Sequence, residues 1–162
     1  MKKLLLASLG VLVLSGCVPK APKPITLPAF PQSEYDALKL SGSEVLTGQA
    51  FLKTVGGDVK VAAGSPVVLM PKTTYTDFQF SICNGYVRCE QEDMRAAKYE
   101  KVTTADAEGK FEFNDVAPGD YYVQTTVTWM RPSSAGLVQE GGALMAKAII
   151  KPGAKNTVMV TK

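Results

Sequence analysis

Thr104-Ala105-Asp106-Ala107-Glu108-Gly109-Lys110-Phe111-Glu112-Phe113-Asn114-Asp115-Val116-Ala117-Pro118-Gly119-Asp120-Tyr121-Tyr122-Val123 decides the fold of this 162-residue chain. Asp106 and Gly109 supply a tight turn, because aspartate bonds nearby backbone amides and glycine accepts a positive φ. Phe111 and Phe113 stand two residues apart, so on an extended backbone both rings reach the same sheet face. Pro118-Gly119 then turns the chain into a further run in which Tyr121 and Val123 share a face. The order is turn, alternating run, turn, alternating run, which is the grammar of a β domain.

The same texture extends from Val45 to the C-terminus as short apolar or alternating runs broken by glycine, proline and asparagine. It predicts strands over 46–54, 58–62, 66–69, 99–103, 110–114, 120–130, 143–151 and 156–160. Seven or eight such strands suit an all-β, immunoglobulin-like sandwich of two antiparallel sheets packed face to face. Trp129, the single tryptophan, continues the face of Tyr121, Val123 and Val127 and is read as a core filler. A tryptophan exposed in a binding groove is the alternative. Residues 136–142, which contain Gln139-Glu140-Gly141-Gly142, read as a flexible loop between two strands that could line a site.

Residues 76–98 interrupt the pattern. Asp77-Phe78-Gln79-Phe80 alternates weakly, Cys83 and Cys89 enclose a short loop, and the polar run after it carries the helix formers Met94, Ala96 and Ala97. A long connection on a compact sandwich is a place for function, and covering a sheet edge is its structural use. Tyr75, Phe78, Phe80, Tyr86 and Arg88 make up its candidate interaction surface. Ahead of the domain, residues 33–44 read as a short helix or linker, with Ser33 as its N-cap and Asp36 three positions on. Residues 17–32 hold five of the ten prolines, together with Lys20 and Lys23. Such a segment predicts an extended spacer that does not fold, roughly 50 Å long at ~3.1 Å per residue.

Lys2 and Lys3, the apolar run 4–14 and the small residues Ser15-Gly16 have the layout of an export signal. The run is too short to cross a bilayer, which takes about 20 residues. Leu14-Ser15-Gly16-Cys17 resembles the lipobox of bacterial lipoproteins. That resemblance implies removal of residues 1–16, attachment of a lipid, with palmitate, to Cys17, and a membrane partner through that lipid. Lipoproteins of this kind use aspartate after the cysteine for inner-membrane retention. Val18 therefore implies the outer membrane, where the periplasmic face is expected ahead of the cell surface. With Cys17 assigned to the lipid, Cys83 and Cys89 remain as an even pair, and Asn84-Gly85 is a turn that brings them together. A disulfide is expected in an exported chain and closing this loop is worth about 2–3 kcal/mol. Loss of the signal also leaves 16 basic against 15 acidic side chains, a balance that gives nucleic acid nothing to bind. With 46% hydrophobic and 20% charged residues, the remainder suits one globular domain.

The stretch 104–123 resembles the signature of carboxypeptidase regulatory-like domains: a threonine and an aspartate, a glycine turn, aromatic-x-aromatic, then proline-glycine leading into tyrosine. Gly48-Gln49-Ala50-Phe51 and Gly64-Ser65-Pro66-Val67-Val68-Leu69-Met70-Pro71-Lys72-Thr73 are similar to the opening strands of that domain. The resemblance covers residues 45–162 apart from the insertion. It implies a transthyretin-like β-sandwich that serves as a non-catalytic module, as in other bacterial envelope proteins.

The chemistry of the side chains agrees with that. The chain contains no histidine, which removes the usual metal ligand and general base, and it has no Gly-x-Ser-x-Gly elbow and no P-loop. Cys83 and Cys89 lack the Cys-x-x-Cys spacing of redox and zinc motifs. Asp106, Glu108, Asp115 and Asp120 cluster around two turns as a conceivable calcium site or acid pair, although acids in turns ordinarily bond local backbone. The sequence thus points to a non-enzymatic, lipid-anchored envelope protein without cofactor or metal. Its sandwich is expected to act as a structural or protein-interaction module with an envelope-protein partner. A glycan- or small-ligand-binding lipoprotein is the alternative, followed by a histidine-free hydrolase that uses a cleft between insertion and sandwich.

Overall fold

The computed structural model describes residues 23–39, 41–83, 87 and 89–162. The signal segment, Cys17, Val18, Asn84-Gly85, Tyr86 and Arg88 lie outside the described residues. Eight strands form two four-stranded sheets. The first contains β1 (Glu44–Lys53), β2 (Val59–Val61), β5 (Lys110–Val116) and β8 (Asn156–Val160). The second runs in the order β4 (Lys101–Thr104), β3 (Pro66–Pro71), β6 (Gly119–Ser133), β7 (Gly136–Ile150). All pairings are antiparallel except β1 with β8, which run parallel from Leu46↔Asn156 to Ala50↔Val160.

The stretch quoted first forms the centre of this arrangement. The Asp106 carboxylate accepts the amides of Glu108 at 2.9 Å and Lys110 at 2.8 Å, which ties the turn. Phe111 and Phe113 then point into the core with Leu46, Val67, Leu69, Val123, Leu144 and Val160. Alternation would turn Val116 outward, yet it is buried. The reason is a bulge: the register with β1 shifts between Glu44 and Leu46, so Asn114 and Asp115 together face Val45, and Asp115 takes φ +56°. One extra residue restores the inward phase, and aspartate tolerates that conformation better than most side chains. Across the sheet Gly48 pairs with Phe111. A Cβ on Gly48 would stand 2.3 Å from Phe111 Cζ, so the ring fills the space that the glycine leaves.

Several sequence expectations need correction. Residues 136–142 are not a loop. They belong to β7, which pairs with β6 without interruption from Gly119↔Ile150 to Ser133↔Gly136 and leaves only Ser134 and Ala135 as the connection. Glycine in this run, and Pro132 opposite it in β6, are tolerated because β3 pairs with β6 only as far as Thr125, which leaves the outer hairpin with open edges among the described residues. In the insertion, helix and alternation exchange places. Residues 77–80 lie in the helix α2 (Thr74–Ile82), begun by a capping box in which Thr73 and Thr76 bond each other's backbone. The run 90–98, rich in helix formers, keeps only a 3₁₀ turn, Ala96–Tyr99, and Tyr99 is therefore not in β4. The N-terminal helix α1 (Gln32–Asp36) is a single turn that starts after Pro31, with Ser33 inside it and not capping it.

The spacer expected over 17–32 is also folded along its described part. Ile25 bridges Cys89 in parallel, and Phe30 stacks on Tyr35 with ring centroids 4.4 Å apart. Proline sets an extended backbone here, but the half-buried Phe30 between Pro28 and Pro31 packs against Tyr75 and Arg95. Cys83 and Cys89 form the expected disulfide.

Candidate functional site

Of the surface expected from Tyr75, Phe78, Phe80, Tyr86 and Arg88, the last two lie outside the described residues, and the three described rings turn largely inward. Tyr75 is 2% exposed, edge-on to Phe30 at 5.7 Å, and its hydroxyl accepts the Asp93 amide at 3.0 Å. Phe80 stacks on Tyr122 at 4.6 Å, with the Lys147 ammonium 5.1 Å above its ring, and Phe78 is half-buried. Phe80 thereby fastens α2 to the outer face of β6, and Tyr75 fastens it to the segments around Phe30 and Asp93. The Tyr122 hydroxyl donates to Asp77 Oδ1 at 2.5 Å, and burial together with that carboxylate pushes its pKa up to about 12.

The turn carboxylates do not assemble into a metal site either. Asp106 is occupied by two backbone amides. Among the described residues no three cysteine, aspartate or glutamate side chains converge as metal ligands. The carboxyls with raised pKa lie elsewhere, beneath the N-terminal segment. Burial, then the neighbouring Glu92, moves Glu100 to about 7. Burial likewise raises Glu92, against a hydrogen bond from Gln79. Gln79 Oε1 and Glu92 Oε1 are both buried without a hydrogen-bond partner.

Among the clefts of the surface, two set aromatic rings beside ion-pairing side chains. One, of about 430 Å³, lies between α2 and the start of β6 and carries Tyr99, Tyr121, Lys72 and Asp120. The other, of about 630 Å³, lies where the outer β6–β7 hairpin leaves the sandwich, and it is lined by Trp129, Leu52, Val55, Arg131, Glu140 and Asp58. Trp129 keeps the inward phase of Val123 and Val127, but β6 has by then outrun the opposing sheet. The indole is therefore half-buried, packed on the rim of the core. Beside it, Gly141 has φ +90°, and a Cβ there would meet the Val127 carbonyl oxygen at 2.1 Å and the Trp129 ring at 2.8 Å, so the position next to the indole requires glycine. Arg131, two residues on and on the same face, bonds Glu140. On the other wall Asp58 is 3.7 Å from Lys60.

This arrangement offers an aromatic plate and short apolar walls, bordered by charged groups whose geometry is already fixed. A ligand with alternating C–H faces and hydroxyls finds a partner for each, as small-ligand sites require. Both carboxylates of the cleft are engaged by cations, which is a poor arrangement for delivering a proton and a good one for accepting hydroxyls. The sequence placed Trp129 in the core by its phase. The signal that could have corrected this is length, since a hairpin of fifteen residues per strand must extend past opposing strands of three to ten.

The fold thus defines an eight-stranded β-sandwich with a decorated connection and an outlying hairpin. It is similar to the crystal structure of a Pseudomonas aeruginosa protein named "putative carbohydrate binding protein". The two superpose with a TM-score of 0.77 and 26% sequence identity, over 84% of this chain and 99% of that one. No family model and no curated protein matches the sequence.

Proposed function

We propose that this chain is a non-enzymatic envelope lipoprotein that binds carbohydrate in the cleft at Trp129. One observation carries the site: an indole held in core phase with an open flank, between a guanidinium–carboxylate pair and a second ion pair. The similarity to a protein named for carbohydrate binding supports the ligand class, and it favours the glycan reading over the protein-interaction module that the sequence alone puts first. The two-sheet architecture is what the carboxypeptidase regulatory-like resemblance implies, and the export signal and Leu14-Ser15-Gly16-Cys17 support an outer-membrane address through a lipid on Cys17.

Trp129 is the single tryptophan, so intrinsic fluorescence reads the cleft directly. Titration with soluble envelope polysaccharide fragments is expected to shift the emission saturably. Trp129→Ala should abolish retardation in affinity gels containing the same glycan while leaving the melting temperature within a few degrees. Unchanged emission across the fragments, with equal gel mobility of both proteins, would reject the site. Palmitate incorporation that disappears in Cys17→Ser tests the anchor separately.

A protein partner retains one specific observation. Met130, Leu137 and Val138 stand 56%, 67% and 42% exposed near the end of the hairpin, an apolar end beyond the cleft. Crosslinking in intact cells from that end distinguishes a protein partner from a glycan.

A further inference from the structure

Residues 25–36 form a strap that is bound along its length to the insertion. At its start, Ile25 bridges Cys89, its carbonyl accepts the Glu90 amide at 2.9 Å, and Thr26 Oγ1 donates to Glu90 Oε1 at 3.1 Å. In its middle, Phe30 lies between Tyr35 and the Arg95 guanidinium, which stands 4.6 Å from the ring. At its end, the Glu34 carboxylate accepts the Thr74 amide at 2.8 Å and the Thr74 hydroxyl at 2.6 Å. The Cys83–Cys89 bond ties the docking point of Ile25 to the end of α2. Polar and apolar contacts therefore hold one short stretch of chain against one pole of the sandwich, which the disulfide braces.

We infer that this docking turns the insertion pole, around Cys89 and Glu90, toward the lipid bilayer and holds it there. The inference rests on lipidation of Cys17. Eight residue steps separate Cys17 from Ile25, and at no more than about 3.6 Å per step the docked pole stays within ~29 Å of the lipid attachment. Were the strap free as far as Ser43, twenty-six steps would allow ~90 Å. Docking thus shortens the leash threefold and selects the face at its end. The opposite reach of the molecule is comparable. Cys83 and Gln124 line one recess, and the hairpin continues nine residues from Gln124 to Ser133, or ~30 Å at strand rise. The partner of the insertion pole is therefore the headgroup surface itself, while the hairpin end and its cleft stand away from the anchored pole.

The test uses the full-length lipoprotein in vesicles of phosphatidylethanolamine and phosphatidylglycerol that carry a diazirine on a fraction of the headgroups. After irradiation, peptide mass spectrometry is expected to find the label on residues 23–31 and 89–95, and little on 130–138. A Phe30→Ala/Tyr35→Ala chain, with its strap freed, should lose the label on 89–95 several-fold. Because those rings also support the insertion, a second chain repeats residues 18–22 ahead of Lys23, which lengthens the leash and leaves the dock intact. It should show the same several-fold loss. Acylated protein labelled chiefly on 130–138, or labelling of 89–95 that is indifferent to both changes, overturns the inference alone. An unacylated Cys17 in the same spectra removes the lipid reading and the inference together.

Discussion

Gly48 shows how much a single residue can carry. Its neighbours Leu46 and Ala50 are buried on the same strand, so phase directs position 48 into the core, where Phe111 Cζ and the Val158 carbonyl would lie 2.3 and 2.6 Å from a Cβ. The ring can move but the carbonyl of a paired strand cannot do so cheaply. Gly48→Ala is expected to lower unfolding stability by roughly 1–3 kcal/mol, in the range of overpacked cores, as a shift in the urea midpoint. Phe111→Leu added to it should restore only part of the loss, because the backbone contact remains; full recovery would show that the ring alone sets the requirement. The pair Phe111 and Phe113 was legible in the sequence because period two needs no tertiary information. The bulge at Asp115 was not, since one unpaired residue leaves no trace in composition.

Among the elements, legibility followed the length of the pattern. β1, β2, β3, β4, β5 and β8, none longer than ten residues, begin and end within two residues of their predicted bounds, whereas the fifteen-residue β6 and β7 run past theirs. α2 was missed because its apolar positions satisfy both periods: Tyr75, Phe78 and Ile82 fit a helix, while Phe78, Phe80 and Ile82 fit a strand. The local arbiter was the Thr73–Thr76 box, which uses threonine where glutamate is the familiar partner. Thr73 also lies beside the Tyr35 hydroxyl at 3.4 Å, so the cap links α2 to the strap. Thr73→Ala should cost about 1 kcal/mol, the usual worth of an N-cap, and hydrogen exchange should quicken selectively in residues 74–82 and 30–36. Equal quickening across the sandwich strands would show that the cap has no local role. The candidate site was the least legible element, because Trp129 has the phase of a core residue and only the tertiary reach of β6 leaves its flank open.

At the scale of the molecule, strap, insertion and sandwich meet over two carboxyls, and pH acts on all three through them. Glu100 has a folded pKa of about 7, raised from an ordinary 4.5 by burial and then by Glu92; Glu92 is itself raised by burial, with Asp93 adding to the shift. The groups facing them include Tyr35, raised to about 12 chiefly by burial, and Tyr75, raised by burial. Arg95 pairs with Asp93 at 2.7 Å, not with the half-buried Glu92 and Glu100. Between 4.5 and about 7 the folded state keeps a proton on Glu100 that the unfolded chain has released, so each step up in pH within that window favours unfolding. The stability tied to this proton is complete below 4.5, falls as pH rises through 7, and changes little above. The opposing group acts elsewhere: Asp93, held near 2 by its bonds from Arg95, loses its contribution only as pH falls from 3.8 through 2. The melting temperature is therefore expected to decline from pH 5 to pH 8, and Glu100→Gln, neutral at every pH and close in shape, should flatten most of that slope. Cleavage of the 23–39 segment by trypsin at Lys39 should rise over the same range in the parent and stay level in the variant. A slope unchanged by Glu100→Gln would place the titrating group outside the contact between strap and insertion.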